Sequence, residues 1–184
     1  MPRRAATPAW FLVPAAIVAA APASATQYLK TDDARKLAFP QADAFTPLPY
    51  APTAAQREAI ESAAHARATA GDPAIWRASA AGQPVGWFIV DNVIGKVERI
   101  TYGLALGNDG KVRSIEILDY RETHGYEVRN AAWRRQFSGA GGGTLPEFGR
   151  DIKNISGATL SCRHLTDGVR RLLAMHDVVL KAAP

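Results

Sequence analysis

Residues 85–120 read VGWFIVDNVIGKVERITYGLALGNDGKVRSIEILDY. Val85, Trp87 and Ile89 alternate with Gly86, Phe88 and Val90, so both faces of this run are apolar. A strand with that pattern is covered on both sides and belongs in the middle of its sheet. Ile100, Tyr102, Leu104 and Leu106 then recur at every second position among more polar neighbours, the signature of a second strand. Asn108-Asp109-Gly110 is a strong turn signal, and Val112 to Tyr120 returns with Ile115 and Ile117 on one face. Three strands joined by short connections predict an antiparallel meander.

Upstream, residues 26–52 read as irregular, with a short helical piece from Asp32 to Leu37, because Pro40, Pro47, Pro49 and Pro52 interrupt anything longer. Thr53 to Arg67 predicts a helix. Thr53 can cap it, Gln56 stands where a capping box takes Glu or Gln, and Gly71-Asp72-Pro73 stops it. Downstream of the strands, Arg121 to Tyr126 is a loop and Glu127 to Phe137 reads as helical. Gly139 to Gly143 forms a flexible glycine-rich stretch without phosphate-loop spacing, since no Gly-Lys-Ser/Thr follows. The last helix runs from Ser161 to Met175; Leu165, Val169, Leu172 and His176 share one of its faces. Trp76, Trp87 and Trp133 are expected in the core. The fold class expected is α+β, an antiparallel sheet with packed helices.

Composition narrows the function. The single cysteine, Cys162, excludes an intramolecular disulfide, a multi-thiolate metal site and a C-type haem, and the histidines show no zinc spacing. Arg3 and Arg4, the apolar stretch Trp10 to Ala21 and the small residues Ala23-Ser24-Ala25 read as a signal peptide cut after Ala25; an uncleaved anchor is the alternative. The net charge is +5, and without Arg3 and Arg4 it is +3. No basic run interleaved with aromatics is present, so no nucleic-acid partner is expected.

The stretch that carries chemistry is Ile155-Ser156-Gly157-Ala158-Thr159-Leu160-Ser161. Small residues lead straight into an amphipathic helix. The free N–H groups and dipole of a helix start favour an anion such as phosphate. Gly157 and Ala158 leave room for a ligand, and Thr159 adds a hydroxyl. Helix capping by Thr159 or Ser161 accounts for the same residues and requires no ligand.

Ser156-Gly157-Ala158-Thr159 resembles the flavinylation motif of FMN-binding domains, found in periplasmic subunits of the sodium-pumping NADH:quinone reductase and of Rnf-type complexes. The family's strand pair with an Asp-Gly turn is matched by Asp109-Gly110, and its Glu-Thr-x-Gly loop by Glu122-Thr123-His124-Gly125. Its following amphipathic helix is matched by Leu160 to Met175. Together these features cover about residues 85–176 in the family's order. Lys153 stands where the family often has Asp. The resemblance implies an FMN cofactor esterified through its phosphate to Thr159 by a flavin transferase that uses FAD, with Ser161 as a second candidate acceptor. It implies a cofactor site built from Ser156, Gly157, Ala158, Thr159, Leu160 and Ser161, with Glu122, Thr123, His124, Gly125 and Tyr126 beside the flavin. Tyr126 would stack on the ring or pack. Arg129 is assigned to a solvated helix face, with a place near the flavin or phosphate as the alternative, and Cys162 to packing, since His164 two residues on lies on another side of the helix.

The chain thus divides into a signal peptide (1–25), an N-terminal arm and helix (26–80) and an FMN-binding domain (81–180). The expected function is a periplasmic electron carrier without a stable small-molecule substrate, working with membrane-bound or periplasmic redox proteins. It would be a redox-active flavoprotein rather than an ordinary enzyme. A flavin-dependent reductase with its own substrate and a cofactor-free interaction module are the alternatives.

Overall fold

The computed structural model describes residues 28–66 and 71–181; the expected signal peptide and Arg67 lie outside them. Five strands form one antiparallel sheet in sequence order: β1 (Ala44–Leu48), β2 (Ala74–Ala80), β3 (Gln83–Ile94), β4 (Arg99–Gly107) and β5 (Val112–Tyr120). β3 is the middle strand, as its two apolar faces predict. It pairs with β4 in a register that sets Trp87 opposite Leu106, Ile89 opposite Leu104 and Val93 opposite Ile100. These side chains, with Ile115 and Ile117, form the larger core under α2 (Ala54–Ala64) and α4 (Thr159–Met175). On the opposite face Phe88, Ala105 and Leu118 meet Ala34 and Ala38 of α1 (Thr31–Ala38) and the adjoining Phe39. The sheet is therefore sandwiched between helices.

Two strands were not foreseen. β1 lies in the segment read as irregular and contains Pro47. It forms an edge of the sheet, where a residue without an N–H is tolerated. β2 has only a short, weakly alternating pattern. Its pairing with β3 supplies what the pattern lacks: Ile75 faces Ile89, and the Arg77 guanidinium lies 3.8 Å from the Trp87 ring centroid. Trp87 and Trp133 are buried as expected, whereas Trp76 is partly exposed.

α2 opens on the predicted capping box. The Gln56 N–H donates to Thr53 Oγ1 (3.2 Å), and the Thr53 N–H donates to Gln56 Oε1 (2.8 Å). The helix stops at His65, which takes a left-handed backbone, ahead of the Gly71-Asp72-Pro73 signal. The expected helix over 127–137 is divided. One 3-10 turn covers Tyr126–Arg129, α3 covers Ala131–Arg134, and a second 3-10 turn covers Arg135–Phe137. Asn130 causes the break, since its extended backbone ends one turn and its side chain caps the next at the Ala132 N–H (2.8 Å). The glycine-rich stretch straps the start of β5: Val112 N–H donates to Ala140 C=O, and Gly139 N–H to Val112 C=O, both at 2.8 Å.

α4 buries the predicted face; Leu165, Val169, Leu172 and His176 are all inside. Each such aliphatic side chain stabilises the fold by roughly 1.5–3 kcal/mol. A charge is buried there as well. Asp91 of β3 accepts from the Tyr102 hydroxyl (2.8 Å) and pairs with Arg171 of α4, joining helix and sheet through a polar contact inside the core.

Candidate functional site

β5 runs antiparallel to β4, so the β3–β4 turn (95–98) and the loop after β5 (121–126) emerge at one end of the sheet. The start of α4 reaches the same end. These three segments line a cleft of about 660 Å³. The turn contributes Lys96, Val97 and Glu98, the loop Arg121 to His124, and the helix start Gly157 to Ser161. That volume lies within the range of about 300–1,000 Å³ usual for cofactor clefts.

Thr159 is the first residue of α4. Ala158 precedes it as the N-cap, and no side chain caps the helix. The capping role considered for Thr159 and Ser161 is therefore absent, and the first-turn N–H groups are left to the cleft. Thr159 is exposed, and its Oγ1 accepts from Asn154 Nδ2 at 3.1 Å. Ser161 also reaches the cleft wall but is 3% exposed. The Tyr120 phenol donates its proton to the His124 carbonyl, and Ser161 lies near that phenol. Burial pushes the Tyr120 phenol up, and the nearby Ser161 hydroxyl offsets part of that shift. Cys162 is fully buried and its thiol is also pushed up by burial, which makes it a packed thiol rather than a nucleophile.

The loop after β5 is seated by Gly125. Its φ is +83°, and an added Cβ would lie 2.6 Å from Ala158 Cβ and 2.8 Å from the Tyr120 hydroxyl. Thr123 and His124 line the cleft, and Thr123 Oγ1 lies 2.9 Å from His124 Nδ1. Glu122 is buried, and its Oε1 accepts N–H groups from Val97 (2.7 Å) and Glu98 (2.9 Å). Ser156, Gly125 and Tyr126 are not on the cleft wall. Tyr126 is half exposed; its ring lies 6.2 Å from that of Tyr120, and its hydroxyl donates to the Thr123 carbonyl. Arg129 is exposed and covers the Tyr28 ring of the N-terminal arm at 3.7 Å.

Lys96, Val97, Glu98 and Arg121 were missed by reading the sequence. The signal was available: in a three-strand meander the first turn and the end of the third strand share one end of the sheet. Lys96 and Arg121 add positive charge there, and Val97 and Leu160 are exposed apolar side chains on its walls. An uncapped helix start with two nearby cations suits a phosphate, and the apolar walls suit a flat ring system. At Gly157 nothing lies within 4 Å of an added Cβ, so the backbone there is open to an approaching group. The site fits a flavin mononucleotide.

Residues 95–174 match the model of a protein family described as FMN-binding domain, a match that supports FMN as the cofactor. The fold also matches the crystal structure of one component of the Na(+)-translocating NADH-quinone reductase from Parabacteroides distasonis. The identity is 12% and the TM-score 0.53, over 85% of this chain and 86% of that one, a likeness of fold. No curated protein matches the chain in sequence.

Proposed function

We propose that this chain is an exported flavoprotein that holds FMN through a phosphoester to Thr159 and passes electrons outside the cytoplasm. The observation that carries the reading is the contrast between two hydroxyls on α4. Thr159 is exposed in the cleft at an uncapped helix start, whereas Ser161 is buried beside Tyr120. A flavin transferase using FAD, with AMP as leaving group, requires an accessible hydroxyl, and Thr159 supplies it.

The first-turn N–H groups of α4, with Lys96 and Arg121, would neutralise the phosphate charge. Val97 and Leu160 would flank the ring, with Thr123 and His124 at its polar margin. Bound there, FMN supplies one- and two-electron chemistry, while the protein supplies position and electrostatics. A covalent bond prevents loss of the cofactor by dilution, which matters most outside the cytoplasm. Export rests on residues 1–25, whose composition is that of a signal peptide. The fold neighbour belongs to an NADH-quinone reductase, which favours membrane-bound or periplasmic redox proteins as partners.

The test is ultraviolet fluorescence of the denatured band after export with a co-expressed flavin transferase. Wild type should glow and Thr159→Ala should be dark while remaining folded. Covalent flavin retained in Thr159→Ala would refute the attachment site.

A further inference from the structure

The β3–β4 turn has little hydrophobic anchorage of its own. Lys96, Val97 and Glu98 are all exposed, Val97 to 71%. A short hairpin end with so little burial opens readily unless other contacts hold it. Here both kinds of backbone group are held, each from a different element. From the loop after β5, Glu122 Oε1 accepts the N–H groups of Val97 and Glu98. From α4, His164 Nδ1 lies 2.6 Å from the Ile94 carbonyl and 3.1 Å from that of Gly95. Since both partners are acceptors, that nitrogen carries the proton and donates. Gly95 completes the arrangement, for a Cβ there would lie 2.5 Å from Glu122 Oε1.

We propose that Glu122 and His164 are positioning residues that clamp the β3–β4 turn as a wall of the cofactor cleft, a proposal that rests on FMN occupying that cleft. Glu122 then acts on the flavin through the turn, whose two backbone donors occupy its Oε1. His164 follows Thr159 by five residues on α4. The clamp therefore ties the wall to the helix that bears the attachment hydroxyl, and fixes the depth at which the ring is shielded from water. A carboxylate receiving two N–H bonds is a strong anchor because the charge assists both bonds.

The experiment uses the full chain in two states. In the cofactor-free protein, amide hydrogen exchange is followed at Val97 and Glu98, with Ile89 and Leu104 in the sheet centre as controls. Glu122→Ala should lower protection at Val97 and Glu98 by about tenfold or more, with the controls unchanged. Glu122→Gln, which keeps a neutral acceptor oxygen and also serves if the alanine variant fails to fold, should give a smaller loss. His164→Ala should deprotect the same two amides. In the flavin-loaded protein, Glu122→Ala should retain covalent flavin but show stronger quenching of its fluorescence by iodide. Wild-type protection at Val97 and Glu98 in both Glu122 variants would overturn the clamp. Deprotected amides with unchanged quenching would overturn its role as a cofactor wall. A dark wild-type band would instead defeat the FMN reading, and the amide result would still decide the clamp.

Discussion

Ser161 on the first turn of α4 is buried beside Tyr120 at the end of β5. This one contact docks the helix start on the sheet and withdraws Ser161 from the set of available hydroxyls. Ser161→Ala should therefore keep covalent flavin. It should also lower stability by about 0.5–1.5 kcal/mol, read from the denaturant midpoint with in-gel fluorescence unchanged. A dark Ser161→Ala band would show that Ser161 takes part in attachment.

The seat of the loop at Gly125 leaves no room for a side chain. Gly125→Ala adds a methyl within 3 Å of both Ala158 and Tyr120, at a positive φ. A loss of about 1–3 kcal/mol is expected, together with poorer flavin incorporation, because Ala158 adjoins Thr159. Thermal melting and the flavin-to-protein absorbance ratio would measure the two effects separately. A stable, fully loaded variant would contradict the packing described.

The Asp91–Arg171 pair is buried at both ends, with side chains 2% and 5% exposed. Removing one partner breaks this ion pair inside the core. Asp91→Ala should cost about 3–5 kcal/mol, and it also leaves the Tyr102 hydroxyl without its acceptor. Equilibrium unfolding would report this directly. An apolar double replacement, Asp91→Leu with Arg171→Met, should be less damaging than either single change.

Alkaline pH should weaken the fold. Burial raises Cys162, Tyr120 and, most strongly, Tyr102, where nearby Asp91 adds to the effect. In the unfolded chain these groups lose protons near about pH 8.5 to 10, while the folded chain keeps them. The folded state then binds more protons than the unfolded one, so unfolding free energy declines as pH rises through that window. Below it the contribution is fully present. Denaturant midpoints measured from pH 7 to 10.5 should fall at the upper end, and a rising midpoint would contradict the sign. Native Cys162 should also resist alkylation until the protein unfolds.

Much of this protein is determined by local sequence pattern. The two-sided apolar run of β3, the alternation of β4, the Asn108-Asp109-Gly110 turn, the Thr53–Gln56 capping box and the buried face of α4 each follow from a period or a residue type acting on near neighbours. The approach of Gly157 to Ser161 to the Glu122 loop was legible only through resemblance to a family motif, because segments so far apart in the chain carry no shared period. Tertiary structure alone decided the rest. β1 and β2 owe their conformation to pairing with neighbouring strands, not to their own weak patterns. Asn130 divided an expected helix because its side chain caps the next turn. The family motif ranks Thr159 ahead of Ser161, and the packing of α4 near Tyr120 buries the Ser161 hydroxyl while Thr159 stays exposed in the cleft. Glu122 reads as a cleft residue and lines the cleft, and only the meander that brings residues 97, 98 and 122 together shows that it is also bonded to the β3–β4 turn.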